Sequence, residues 1–237
     1  MGKNLVQQAR GKGGPTYRSP GFRFMGNSGH CKETGKKTNG IVADIVDDPG
    51  RSAPLAIIRY EREAVLMIAP EGLRVGDMLE AGPGSATSKG NTLPLREIPE
   101  GTLIFNIENQ PGDGGKFCRS SGVCARVLGK IGERMLVELP SKKQKQFQQD
   151  CRATIGTVAG SGRVEKPFLK AGSRFHAMKA KNKLYPITSA RSMNAVDHPF
   201  GNKRSARKAK QRPAPRNAPP GRNVGMLHPR RTGRRKR

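Results

Sequence analysis

The sequence predicts a mainly β protein: two small β-rich bodies carrying long basic extensions at both ends. Three observations lead there. Short β-branched and aliphatic runs recur between Gly- and Pro-rich turns, the pattern of small barrels. No long stretch shows clean 3.6-residue apolar periodicity. Charge is partitioned along the chain. Residues 1–40 hold 8 basic and 1 acidic residues, net +7. Residues 41–169 hold 17 and 16, net +1, and residues 170–237 hold 20 and 1, net +19. A near-neutral middle can collapse on its apolar residues. The flanks lack the apolar material to offset chain entropy, so they are expected to be extended or disordered until a polyanion neutralises them.

The elements follow in order. Residues 41–46 form a first β-rich run, closed by the turn signal Asp48-Pro49-Gly50. Residues 55–60 and 64–69 suggest a hairpin across Glu61-Arg62-Glu63. Residues 75–80 are a further short strand, residues 81–91 are a Gly/Ser/Thr/Pro loop, and the flexible stretch near residues 81–95 makes a natural seam. Beyond it, residues 103–107 resume the β pattern. Residues 123–128 and 133–139 flank Gly129-Lys130-Ile131-Gly132 as another hairpin, and residues 155–159 close the series. The expected organisation is a basic extension over residues 1–38, one barrel over 39–90, a second over 91–170 and a basic extension over 171–237.

Composition narrows the function. The 237 residues carry 45 Lys+Arg against 18 Asp+Glu, a formal charge of +27, with 34% hydrophobic residues, 5% aromatics and no Trp. That is too little apolar material for one compact enzyme core filling the chain. The longest uncharged apolar stretch, residues 64–70, is far short of the ~20 residues a membrane span needs. Met1-Gly2-Lys3 leads into polar sequence, so no secretory signal is expected, and Val6 stands where a myristoylation signal has Ser or Thr. Cys31, Cys118, Cys124 and Cys151 have neither disulfide-scaffold nor zinc spacing and are expected as reduced, mostly buried thiols.

A charge of +27 requires a polyanion partner. Gly and Pro break the Arg-rich tail, which disfavours a membrane-surface helix. Arg guanidinium planes bind phosphate bidentately and stack on bases, which suits RNA. Helix-turn-helix, zinc-finger and basic-zipper patterns are not apparent, nor is the RRM aromatic motif, so an architectural DNA binder is the weaker reading. An RNA-modifying enzyme would need a cofactor loop or an acid–base pair. Gly112-Asp113-Gly114-Gly115-Lys116 is not a phosphate-binding P-loop, since Gln110 and Phe117 break the motif. Asp197-His198, read as extended chain, would point in opposite directions and lacks a nucleophile.

An ordered series of motifs resembles the family of the second universal protein of the large ribosomal subunit, in its archaeal and eukaryotic branch. Met193 followed by Asn194-Ala195-Val196-Asp197-His198-Pro199-Phe200-Gly201 resembles the family signature. Asp47-Asp48-Pro49-Gly50-Arg51-Ser52-Ala53-Pro54-Leu55-Ala56 looks like its first-barrel turn, and Pro111-Gly112-Asp113-Gly114-Gly115-Lys116 like its second-barrel loop. Cys151-Arg152-Ala153-Thr154-Ile155-Gly156, Lys166-Pro167-Phe168-Leu169-Lys170-Ala171-Gly172 and the closing Arg230-Arg231-Thr232-Gly233-Arg234 agree. Two places depart from the pattern: Ser189-Ala190 stand where the family has Arg-Gly, and Asn202-Lys203-Arg204 replace a glycine run. The resemblance implies an OB-fold barrel followed by an SH3-like barrel. It further implies binding of large-subunit (23S-type) rRNA near the peptidyl transferase centre, with support of subunit assembly, subunit association, tRNA binding and peptide-bond formation. Implied partners are neighbouring large-subunit proteins and, through a bridge, the small subunit. The setting is the cytoplasmic ribosome, without enzyme activity or a cofactor beyond structural Mg or K ions of the rRNA.

Candidate RNA contacts fall into three groups. Arg18 and Arg23 lie among Tyr17, Phe22 and Phe24, an interleaving that suits base stacking or else an aromatic cluster tucked against the first barrel. Arg51 is expected at an exposed turn tip, with Lys116 and Arg119 near phosphates in the Gly-rich loop. The C-terminal group is Arg174, Arg191, Asn194, Asp197 and His198, then Lys203, Arg204, Arg222, Arg230, Arg231 and Arg234. The resemblance implies that His198 is an RNA contact or loop organiser.

Overall fold

The computed structural model describes residues 12–15, 17–18, 24–32, 35–198, 200–201, 217 and 219. The chain divides into two compact units: residues 20–173, and the described parts of residues 1–19 and 174–237. All ten described strands lie in the first unit, so the class is mainly β, as the sequence predicts. They are β1 (Thr38–Val46), β2 (Leu55–Tyr60), β3 (Ala64–Ile68), β4 (Met78–Ala81), β5 (Thr92–Pro94), β6 (Leu103–Phe105), β7 (Ala125–Ile131), β8 (Arg134–Glu138), β9 (Gln144–Gln148) and β10 (Arg152–Ile155). Two helices follow, α1 (Gly162–Glu165) and α2 (Ala171–Ala180).

The strands form one continuous ladder in the order β3-β2-β1-β4-β5-β10-β6-β7-β8-β9. Three apolar clusters explain how one ladder makes two bodies. Val42, Ala56, Ile58, Met67, Ala69 and Leu79 fill the first body. Leu95, Ile104, Val127, Val137 and Phe147 are among those that fill the second. Ala53, Leu55, Ile68, Phe105 and Val158 join them. Alternation along β2 does the sorting, since Leu55 faces the joint while Ala56 faces the first core.

The segment after β4 differs from the flexible seam that its composition suggests. Ala81 pairs with Thr92 in a short parallel bridge, and Gly90 N–H donates to Ile155 O at 2.9 Å. Asn91 is buried, accepting Glu80 N–H at 2.9 Å and donating to Ala86 O at 3.0 Å. Small residues here let side-chain and backbone hydrogen bonds replace strand pairing. Other shifts have similar causes. The last strand lies at residues 152–155 rather than 155–159, because Arg152 and Thr154 are buried despite their polarity. β9, Gln-Lys-Gln-Phe-Gln, has no strand-like sequence. It is an edge strand with a single buried side chain, Phe147, and polar residues guarding the open edge. The second hairpin turns at Gly132-Glu133, later than residues 129–132, and Gly129 instead adjoins a bulge in β7.

α2 corrects the expectation that residues after 170 are extended. It has ten residues, none buried, so no amphipathic signal marks it. The thiols match expectation: Cys31, Cys118, Cys124 and Cys151 are not joined in disulfides, and Cys31 and Cys151 are buried. Burial pushes the Cys118 thiol up to about 12, well away from nucleophilic character.

Candidate nucleic-acid interface

Within residues 20–173, a cavity of about 700 Å³ gathers cations from distant parts of the sequence. Lys32, Arg51, Lys116, Arg119 and Arg152 line it. Three of these are sequence candidates: Arg51, Lys116 and Arg119. Lys32 and Arg152 are not among them, although an Arg embedded in the apolar run Cys151-Arg152-Ala153 is itself a signal of a buried, paired guanidinium.

The Asp-Pro-Gly-Arg turn shows how the wall is built. Asp48 is fully buried and accepts Gly50 N–H at 2.9 Å, an Asx turn, while its other oxygen pairs with the Arg51 guanidinium. Arg51 also donates to Gly26 O at 2.8 Å. Arg51 is thus a partly buried clamp rather than an exposed turn tip. Phe24 lies against Gly50, favouring the tucked alternative for that ring. Arg119 repeats the device, donating to Gly115 O at 2.8 Å and Ser28 O at 2.7 Å, with Ser28 Oγ a further partner. Two guanidiniums therefore fix residues 26–28, and both cations stay at the rim of the cavity.

The opposite wall rests on a buried ion pair. Arg152 donates to Glu108 Oε1 through Nη2 at 2.8 Å and Nε at 3.2 Å, and to Cys31 O through Nη1 at 2.5 Å. Glu108 also accepts the backbone N–H groups of Arg152 at 2.9 Å and of Gly112 and Gly114 at 3.2 Å each. Burial raises the Glu108 carboxyl, but these donors and the Arg152 charge hold it below the usual carboxylate value. Asp113 accepts Gly115, Asn109 and Gln110 N–H groups at 3.0–3.2 Å. Glu63 accepts Lys32 N–H at 2.6 Å. The two acids facing the cavity, Glu63 and Asp113, thus serve backbone amides, and the cations dominate its surface. Gly115 has φ +95, and a Cβ there would run into the Asn106 side chain and carbonyl, so the loop needs glycine.

His30 completes the floor. It is buried and its Nε2–H donates to Asn106 O at 2.7 Å. Burial first, then the Arg152 charge, lowers its pKa to about 4, so it is neutral at physiological pH.

Other candidates lie in the second unit. Arg18 N–H donates to Gly14 O at 3.1 Å. The signature residues form a turn rather than extended chain: Asp197 and His198 N–H groups both donate to Asn194 O, at 3.0 and 3.2 Å. Phe200 N–H donates to His198 Nδ1 at 3.0 Å, which occupies the nitrogen that would act as a base. Gly201 sits so close that a Cβ would strike the Asn194 carbonyl. Arg191 and Arg174 are exposed. Arg23, Lys203, Arg204, Arg222, Arg230, Arg231 and Arg234 lie outside the described residues. Among the described residues, no cluster of His, Cys, Asp and Glu could hold a metal ion, and no helix is long and apolar enough to cross a membrane.

Comparison with known proteins agrees with this picture. Residues 7–81 match the family model for the RNA binding N-terminal domain of the ribosomal proteins L2, and residues 88–218 match that for their C-terminal domain. The chain is 48% identical over 241 residues to the large ribosomal subunit protein uL2 of Methanosphaera stadtmanae, covering all of both chains. It is 47% identical to that of Methanocella arvoryzae, over 98% of this chain and 99% of the relative. It is 48% identical to that of Halorubrum lacusprofundi, over 99% and 98%. The β bodies are accordingly an OB-fold barrel followed by an SH3-like barrel, and the chain belongs to the ribosomal protein L2 family.

Proposed function

We propose that this chain is a structural, non-catalytic constituent of the large ribosomal subunit that binds large-subunit rRNA. The observation that supports this most is the cavity where Lys32, Lys116, Arg51 and Arg119 converge while the acids beside them serve backbone amides. Such a surface offers preset donors to a phosphodiester chain. Residues 39–90 and 91–170 act as the two docking bodies, and residues 1–38 and 171–237 as basic arms. Arg18, Arg23, Arg174, Arg191, Lys203, Arg204, Arg222, Arg230, Arg231 and Arg234 contribute contacts to the RNA. Asn194, Asp197 and His198 form a turned loop at the RNA surface.

The finer reading places the protein near the peptidyl transferase centre, supporting subunit assembly and association, tRNA binding and peptide-bond formation, with neighbouring large-subunit proteins and the small subunit as partners. Sucrose-gradient fractionation of cell extract at low and high salt tests it. The protein should travel with the large subunit and resist moderate salt. Steady migration as a free species would sink the reading. Incubation of purified protein with rRNA should show no cleavage or modification.

A further inference from the structure

We propose that Arg174 and Tyr185 form a stacking platform for an unpaired nucleobase of RNA. The inference rests on the RNA-binding reading above and specifies how one part of the chain would use it. α2 carries Arg174 in its first turn. The helix then closes tightly. Asn182 adopts φ 50, Lys181 and Lys183 N–H groups both donate to Met178 O at 3.2 and 2.9 Å, and Asn182 N–H donates to Lys179 O at 3.1 Å. This left-handed closure reverses the chain. The reversal returns Tyr185 to the start of the helix, where the Arg174 guanidinium lies 5.1 Å from the phenol ring centroid. The ten residues between them are thus folded to bring one planar cation over one aromatic ring.

That arrangement sets the guanidinium against an aromatic ring rather than leaving it a mobile point charge. Arg174 is exposed. Residues 166–196 contain no Asp or Glu that could compete for it by sequence proximity. A guanidinium with one face on an aromatic ring presents the other face as a flat, weakly hydrated cation, which suits a nucleobase plane. Phosphate would instead need the N–H edges and would be served as well by any flexible lysine. A base taken from single-stranded or looped RNA is the partner this geometry recognises.

The test is binding of the full chain to purified large-subunit rRNA across a salt titration, comparing wild type with R174K, R174Q, Y185F and Y185L. R174K keeps the charge and loses the plane. Stacking predicts about a tenfold loss of affinity for R174K with an unchanged salt slope. R174Q removes the charge as well as the plane, so it should lose more, with a flatter salt slope. Y185L should follow R174K, and Y185F should match wild type, because only the ring is needed. Thermal unfolding of each variant should match wild type, since both positions lie outside the apolar clusters. Wild-type affinity in R174K, or a loss accompanied by a flatter slope, overturns the platform while leaving RNA binding intact. Failure of the wild-type chain to bind rRNA would instead overturn the reading on which the platform rests.

Discussion

Residues 38–159 and residues 174–201 stand for two ways of giving a chain a shape. In the first, Leu55, Ile58, Phe105 and Val127 are fully or almost fully buried, and apolar burial offsets chain entropy. In the second, α2 buries no residue, while Phe175, Ile187 and Val196 are 43–76% exposed. Order there comes from local hydrogen bonds, such as the Asn194 turn and the closure at Met178. The difference teaches that the two regions should respond to opposite perturbations: the β region to changes in its core, the basic region to changes in salt and polyanion.

Deletion of residues 202–237 should give the largest effect. Fourteen Lys and Arg are lost. Affinity for rRNA should fall by orders of magnitude and the salt slope should flatten, since each phosphate contact contributes about 0.7–0.9 to it. Denaturant unfolding of the β region should be unchanged. A large loss of its stability would show that the comparison divides the chain in the wrong place.

Phe105→Ala is the reciprocal experiment. Phe105 is fully buried in the cluster that joins the two bodies, and its truncation should cost about 3–5 kcal/mol in denaturant unfolding. Phe175→Ala, at an exposed site of α2, should change stability by no more than about 0.5 kcal/mol. Two separate unfolding transitions in Phe105→Ala would sharpen the comparison further, marking that cluster as what makes the bodies melt together.

Glu108→Gln tests how far burial and RNA binding are linked. The glutamine amide would face N–H donors now paired with a carboxylate, a loss of about 3 kcal/mol or more. By charge alone, removing an acid from a +27 chain should tighten RNA binding. Because Glu108 holds Gly112 and Gly114 next to Lys116, binding should weaken instead. Filter binding at a temperature where the variant is folded distinguishes the two signs.

Much of this was readable from residue order, and the exceptions share a cause. Residues 41–46, 55–60 and 64–69 declare themselves because aliphatic runs are bounded by turn residues, and the Asp48-Pro49-Gly50 turn follows from its chemistry. β9 and β10 do not: β9 is polar at every position but Phe147 and shows its strand only by pairing with β8, and β10 is set by pairing with β5 and β6, distant in sequence. The same holds at the interface. Arg51, Lys116 and Arg119 were visible as cations beside turns. The Glu108–Arg152 pair and Lys32 were not, since their roles exist only once residues 31, 108 and 152 meet.

The last predicted effect is a pH dependence confined to the β region. His30 is buried on the cavity floor with its pKa lowered from 6.5 to about 4. Above pH 6.5 the ring is neutral whether the chain is folded or not, so it adds no pH dependence. Between pH 6.5 and 4 the unfolded chain binds a proton that the folded chain refuses, so stability must fall as pH is lowered. The loss should approach about 2 kcal/mol by pH 5, from 1.36 kcal/mol per unit. Glu108 and Asp113, whose values are lowered, add their own loss only at lower pH, as pH falls through their folded values. His30→Gln retains a donor for Asn106 O and removes the titration. Its denaturant midpoint should therefore stay flat from pH 6.5 to 5 while wild type declines. An equal decline in both proteins would show that the acid sensitivity lies elsewhere, and that the cavity floor is as open to water as the basic region.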